Sequence, residues 1–98
     1  LAFLSAVIIA PIVEEFIFRV IIFQTFRKIN AMVAIVGSSL VFGAVHIISE
    51  IVECNFLAPF YALSYFVTAI ALALLYERRR NIIPCIVLHM ILNLVSLL

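Results

Sequence analysis

Charged side chains are scarce in this 98-residue chain, which holds five Glu, no Asp and six Lys or Arg, together 11% of its residues. A soluble domain carries about 25% charged residues, and a chain this short needs polar side chains to cover its large exposed surface. Hydrophobic residues make up 68% of the sequence, and the mean hydropathy is +1.41. These values exclude a soluble globular domain and predict a surface that faces lipid.

Several catalytic and binding patterns are missing as well. Without Asp there is no intramembrane aspartyl pair, and no Gly-x-Ser-x-Gly element or Ser–Lys pair supports a serine nucleophile. Cys54 and Cys85 form no Cys-x-x-Cys motif, so we expect free thiols. The net charge is +1 with no basic patch interleaved with aromatic residues, which excludes nucleic acid as a partner. Five hydroxyl side chains can instead bond to the backbone of their own helices. They are Ser5, Ser38, Ser39, Ser64 and Thr68.

Four apolar runs, at about residues 1–26, 31–49, 56–76 and 82–98, are separated by charged clusters. Each is close to the about 20 residues that a helix needs to cross a bilayer, and helices satisfy their own backbone hydrogen bonds in lipid. The sequence therefore predicts an all-α fold, a polytopic transmembrane bundle of about four helices. Since the chain begins at Leu1 rather than Met, we expect residues 1–98 to be a single domain excerpted from a longer multi-pass protein of the cell membrane.

The loops between the runs alternate in charge. Loops 27–30 and 77–81 are net positive, whereas loop 50–55 is negative through Glu50 and Glu53. The positive-inside rule places the two positive loops in the cytoplasm and loop 50–55 outside. Of the three prolines, Pro59 and Pro84 lie near the starts of their helices, but Pro11 lies well inside the first run, where a kink or break is expected.

The first run carries three ionisable residues, Glu14, Glu15 and Arg19. Each costs about 2.5–3.5 kcal/mol to insert at a helix centre. Glu15 and Arg19 are four residues apart and can pair on one helix face, whereas Glu14 points about 100° away and needs a partner elsewhere or a proton. A structural ion pair is the simpler interpretation, but ionisable groups at membrane depth are usually functional, which makes Glu14 a candidate general base.

Two later helices each carry a pair of residues at the same four-residue spacing, with at least one polar member. Phe42 lies one turn before His46, and His89 one turn before Asn93. Each pair alone is compatible with a structural role in helix packing. Counting 1.5 Å per residue from the cytoplasmic ends places Glu14 and these three polar side chains at similar depth. The sequence therefore predicts one cavity that contains a carboxylate, two imidazoles and an amide.

Taken in order, these motifs resemble those of the CPBP family of CAAX proteases and bacteriocin-processing enzymes, also called Abi, which includes the type II CAAX prenyl endopeptidases. The motifs are Glu-Glu-x-x-x-Arg at residues 14–19, Phe-x-x-x-His at 42–46 and His-x-x-x-Asn at 89–93. The third helix departs from the family, because alanines stand at positions 62, 69, 71 and 73, where glycines are frequent. This departure bears on substrate access more than on chemistry.

The resemblance implies an intramembrane endopeptidase that hydrolyses a peptide bond of a membrane-associated or prenylated CAAX-type protein or peptide. Glu14, with His46, would activate a water, and His89 and Asn93 would donate to the oxyanion. Supporting residues would be Glu15, Arg19 and Phe42.

The family has long been labelled metalloprotease, and zinc could bind Glu14, His46 and His89 with one position open. The His-Glu-x-x-His motif is absent, but ligands can come from separate helices, so spacing does not decide the matter. We favour a glutamate-dependent reaction without a cofactor. Two alternatives use the same cluster differently: a bacteriocin self-immunity or membrane scaffold protein would bind a partner with it, and a proton-coupled transporter would use it as a relay.

Overall fold

The computed structural model describes residues 2–52, 56 and 58–97, and all regular structure among them is helical. This confirms the predicted all-α fold. The first helix, α1, is built from five consecutive segments: Ala2–Leu4, Ser5–Ile9, Ala10–Glu15, Phe16–Phe23 and Gln24–Arg27. The other three helices are α2 (Ala31–Val52), α3 (Ala58–Arg79) and α4 (Ile82–Leu97).

The α1 helix is not broken at Pro11. Residues on either side keep right-handed helical backbone angles, with φ −73° and ψ −50° at Ile9 and φ −59° and ψ −49° at Phe16. Instead, the hydrogen-bonding register changes to the wider π-helical form over Ser5–Ile9, directly before the proline, and again over Phe16–Phe23. The helix continues through the proline in this wider register, although Pro11 itself supplies no N–H.

Asparagines start two of the helices, each directly after a basic cluster. The Oδ1 atom of Asn30 accepts a hydrogen bond from the Val33 N–H at 2.8 Å, and that of Asn81 accepts one from the Ile83 N–H at 3.0 Å. These N-caps satisfy donors that have no partner within the helix. At its other end α2 extends to Val52, beyond the end expected near residue 49.

Two buried clusters hold the bundle together, and α2 packs mainly against α3. One cluster joins Phe18, Phe42 and Ala69. The other lies nearer the basic loops and contains Phe23, Ala34, Leu72, Ala73, Tyr76 and Cys85. Ala69 and Ala73, two of the alanines that depart from the family pattern, are fully buried here, so their methyl groups are part of the packing.

The two positive loops lie at the same end of the bundle. The Arg27 Nη2 atom is 3.2 Å from Glu77 Oε1, and Arg80 Nη2 is 3.3 Å from Glu77 Oε2. Their location on the cytoplasmic side of the membrane stays a prediction. Residues 53–55 of the negative loop, including Glu53 and Cys54, lie outside the described residues.

Within the described part of the chain, two helices are long and apolar enough to cross a membrane by length and composition, over Ala31–Ile48 and Pro59–Arg79. The apolar stretch of α4, Ile82–Ser96, is shorter. The predicted count of about four spans therefore stays a prediction.

Candidate active site

A buried ion pair on α1 forms the base of the polar cluster. Arg19 Nε donates to Glu15 Oε1 at 2.9 Å, and both side chains are completely buried. The four-residue spacing predicts this contact. Because both side chains are buried, removing either charge would leave the other uncompensated in an apolar environment.

Glu15 also reaches across the bundle to α4. Its Oε2 atom lies 2.9 Å from Nδ1 of His89. A carboxylate only accepts hydrogen bonds, so this ring nitrogen carries a proton when Glu15 is ionised. The ion pair therefore has a second task that sequence spacing could not reveal, which is to fix the orientation of His89.

Glu14 lies between the two imidazoles, each of which faces its own carboxylate oxygen. Nε2 of His89 is 3.3 Å from Glu14 Oε1, and Nε2 of His46 is 3.5 Å from Glu14 Oε2. The side chain of Glu14 is 29% exposed, whereas the side chain of Glu15 is 0% exposed. The two neighbouring glutamates thus differ as predicted: one is sealed in an ion pair, and the other is accessible from a cavity.

His46 is oriented by its own helix. Its Nδ1 atom lies 2.8 Å from the carbonyl oxygen of Phe42, which can only accept, so Nδ1 carries the proton in this contact and Nε2 faces Glu14. The Phe42 ring stacks on the His46 ring at a centroid distance of 4.2 Å and lies 5.9 Å from the His89 ring. Phe42 therefore holds both imidazoles in place from one side.

His89 faces a carboxylate with each of its ring nitrogens. When the ring is doubly protonated, it can donate to Glu14 and Glu15 at once. The formal charges of Glu14, Glu15, Arg19 and His89 then cancel, which is the arrangement that costs least in an apolar environment.

Asn93 lies one turn beyond His89 and bonds to the start of α1. Its Nδ2 atom donates to the backbone carbonyl of Ala6 at 3.0 Å. An amide group has two N–H donors, so one remains for another acceptor. Asn93 also lines the cavity, together with the other three predicted catalytic residues.

The cavity has a volume of about 480 Å³ and is lined by residues of all four helices. On α3 the lining side chains are Ser64, Tyr65 and Thr68, and the Tyr65 ring is 4.8 Å from that of His46. Sequence reasoning set Ser64 and Thr68 aside as hydroxyls that can bond to their own helix, and it missed Tyr65. The signal was present in the spacing of Ser64 and Thr68, which places two hydroxyl groups on one face of α3.

Glu14, His46 and His89 are, by side-chain type, the residues that could hold a zinc ion. Glu14 Oε1 lies 3.3 Å from Nε2 of His89, and Glu14 Oε2 lies 3.5 Å from Nε2 of His46. Among the residues described, no three His, Cys, Asp or Glu side chains are grouped so that they could hold a metal. The zinc ligand set that the sequence leaves open as an alternative therefore stays a hypothesis.

The family is decided by comparison with known proteins. The model of the type II CAAX prenyl endopeptidase Rce1-like family matches residues 1–95. The chain belongs to the Rce1-like family. This confirms the resemblance carried by the three motifs and identifies a membrane protease of the CAAX type at the family level. Comparison with curated proteins and with solved structures gives no significant match.

Proposed function

We propose that this Rce1-like protein is a multi-pass intramembrane endopeptidase that hydrolyses a peptide bond of a prenylated or membrane-associated substrate with a water activated by Glu14. One observation carries the proposal: the Glu14 carboxylate contacts both imidazoles and lines a cavity of about 480 Å³. A carboxylate used only for packing would have no need of that access.

In the proposed reaction, a water beside Glu14 and His46 loses a proton to the carboxylate while its oxygen attacks the peptide carbonyl carbon. His46 Nε2, whose ring proton is held at Nδ1 by the Phe42 carbonyl, accepts the second hydrogen of the water and orients it. The proton taken up by Glu14 then passes to the departing amine, which leaves the acid product and a regenerated carboxylate.

The oxyanion formed in this step needs donors that are already oriented. His89, held through Nδ1 by Glu15, and the second amide N–H of Asn93 supply them from one wall of the cavity. Donors fixed before the reaction stabilise the transition state without reorganisation. Glu15, Arg19 and Phe42 serve the site by positioning these groups.

We propose that no metal takes part, since no three His, Cys, Asp or Glu side chains of the described residues are grouped so that they could hold one. The substrate would approach within the membrane, where Leu92 and Val95 supply apolar lining next to the polar cluster. Four membrane spans, cytoplasmic loops 27–30 and 77–81, and an outer loop 50–55 complete the proposed arrangement.

The test is cleavage of a farnesylated CAAX peptide by purified protein in liposomes. Glu14→Gln should lower turnover by at least about 10²-fold, because an amide cannot take the proton from water. Glu77→Gln, which changes a glutamate at the charged end of the bundle, is the matched control and should cleave at the parent rate. Equal turnover in Glu14→Gln and the parent protein would refute the role of Glu14.

The same assay tests the two remaining points. Activity that survives chelator treatment supports the reaction without a metal, and activity that is lost and returns only with zinc refutes it. Peptide binding without hydrolysis by the parent protein would favour the bacteriocin-immunity or scaffold function over the protease.

A further inference from the structure

The carbonyl group of Ala6 on α1 lacks its usual α-helical donor. The Ala10 N–H, which would reach Ala6 in an α-helix, donates to Ser5 instead. In the π-helical register of Ser5–Ile9, the next donor in line for Ala6 is residue 11. That residue is Pro11, which has no N–H.

The missing donor is supplied by a side chain from the far end of the chain. Asn93 of α4 gives an amide N–H to the Ala6 carbonyl at 3.0 Å. A carbonyl in an apolar environment requires a hydrogen bond, and an amide side chain in the same environment requires an acceptor. Pro11 thus leaves the Ala6 carbonyl without a backbone donor at this register, and the Asn93 side chain bonds to it.

We propose that Pro11 is a positioning residue of the active site: because it lacks an N–H, the Ala6 carbonyl is left to hold Asn93 at the cavity wall. The inference rests on the proposed function, since it is there that Asn93 serves the reaction. With one N–H bound to Ala6, the amide of Asn93 has a fixed plane, and its second N–H keeps a fixed direction.

Pro11 and Ala6 lie on the same helix as Glu14, the proposed general base. Pro11 is buried and precedes Glu14 by three residues, and Ala6 and Glu14 both line the cavity. The segment that anchors Asn93 is therefore continuous with the segment that carries the general base. The general base Glu14 and the anchor of the oxyanion donor Asn93 are therefore both on α1.

The activity test is a double-mutant cycle between Pro11→Ala and Asn93→Ala. Alanine restores an N–H within reach of the Ala6 region and frees Asn93, so Pro11→Ala alone should lower kcat by about ten- to a hundredfold with KM nearly unchanged. In the Asn93→Ala background the same change should have almost no further effect.

Pro84→Ala is the matched control, since Pro84 lies in the first turn of α4, where an N–H has no helical acceptor, and it should retain the parent kcat. Full turnover in Pro11→Ala, or an equal loss in both backgrounds, would overturn the proposal.

A second readout does not depend on catalysis. Asn93→Ala should lower the melting temperature in detergent, and should lower it less in the Pro11→Ala background, where the backbone can satisfy Ala6 by itself. If the parent protein cleaves nothing, the proposed function fails, and the melting temperatures alone decide about Pro11. Equal effects of Asn93→Ala in the two backgrounds would refute the inference even in an active enzyme.

Discussion

Two adjacent glutamates on α1 perform different tasks because they point in different directions. Glu15 is enclosed between Arg19 and His89, whereas Glu14 faces the cavity and both imidazoles. A rotation of about 100° per residue is enough to send neighbouring side chains into a sealed and an open environment. Two identical neighbouring residues thus have a buried and an accessible carboxylate, and the proposed function assigns the chemistry to the accessible one.

Removing the charge of Glu15 should destabilise the protein more than removing both charges of the ion pair. Glu15→Gln leaves the buried Arg19 guanidinium uncompensated, for which we expect a loss of about 3–5 kcal/mol in unfolding free energy. In the described part of the chain Nη1 and Nη2 of Arg19 have no hydrogen-bond partner, so nothing there replaces Glu15. The double variant Glu15→Gln, Arg19→Met should recover most of the loss. Unfolding in mixed micelles measures both, and a double variant less stable than Glu15→Gln would contradict the prediction.

At the scale of helices, the close approach of α1 and α2 depends on one glycine. A Cβ atom at Gly37 would lie 3.0 Å from Cδ2 and 3.1 Å from Cε2 of Phe26, closer than ordinary carbon contacts. At Gly43 the nearest atom to a Cβ would be Cβ of Phe66 at 3.9 Å, an ordinary contact. The two glycines of α2 therefore have different roles, although the sequence presents them alike.

Gly37→Ala should lower the melting temperature, because the added methyl group displaces Phe26 at a cost of about 1–3 kcal/mol. Gly43→Ala is the matched control and should match or exceed the parent, since alanine favours a helix by up to about 1 kcal/mol over glycine. Thermal unfolding in detergent ranks the three proteins. A Gly37→Ala variant as stable as Gly43→Ala would show that Phe26 moves aside without cost.

At the scale of the whole molecule, charge is concentrated at one end of the bundle. Gln24 Nε2 donates to the Tyr76 hydroxyl at 2.7 Å, and Arg80 lies over the Tyr76 ring at 6.0 Å from its centroid. Together with the Arg27–Glu77 pair, these contacts join α1 to the end of α3. Polar groups there can reach water or lipid headgroups, which fits a membrane interface.

Cysteine labelling of intact cells should place loops 27–30 and 77–81 on one side of the membrane and Phe56 on the other. In a protein whose native cysteines are replaced by serine, Lys28→Cys and Asn81→Cys should be protected from an impermeant maleimide, and Phe56→Cys, 96% exposed in its parent side chain, should react. Reaction at Lys28→Cys and protection at Phe56→Cys would reverse the proposed orientation. Reaction at only one of Lys28→Cys and Asn81→Cys would contradict the shared end of the bundle.

Local spacing determined a large part of this protein by itself. Length and apolarity predicted helices, the four-residue spacing predicted the Glu15–Arg19 pair, and three motifs in order predicted the family. The helices and the ion pair follow from helix periodicity and from the cost of charge in lipid, both of which act over a few residues, whereas the family follows from the resemblance of the motifs.

Only the tertiary structure decided which distant groups meet. The Glu15–His89 bond spans 74 residues and the Asn93–Ala6 bond spans 87, and no local rule relates such positions. Tyr65 likewise reached the cavity only through the way α3 packs. Pro11 shows the difference most clearly: the sequence marks a missing N–H, but only the packing of α4 against α1 shows that Asn93 replaces it.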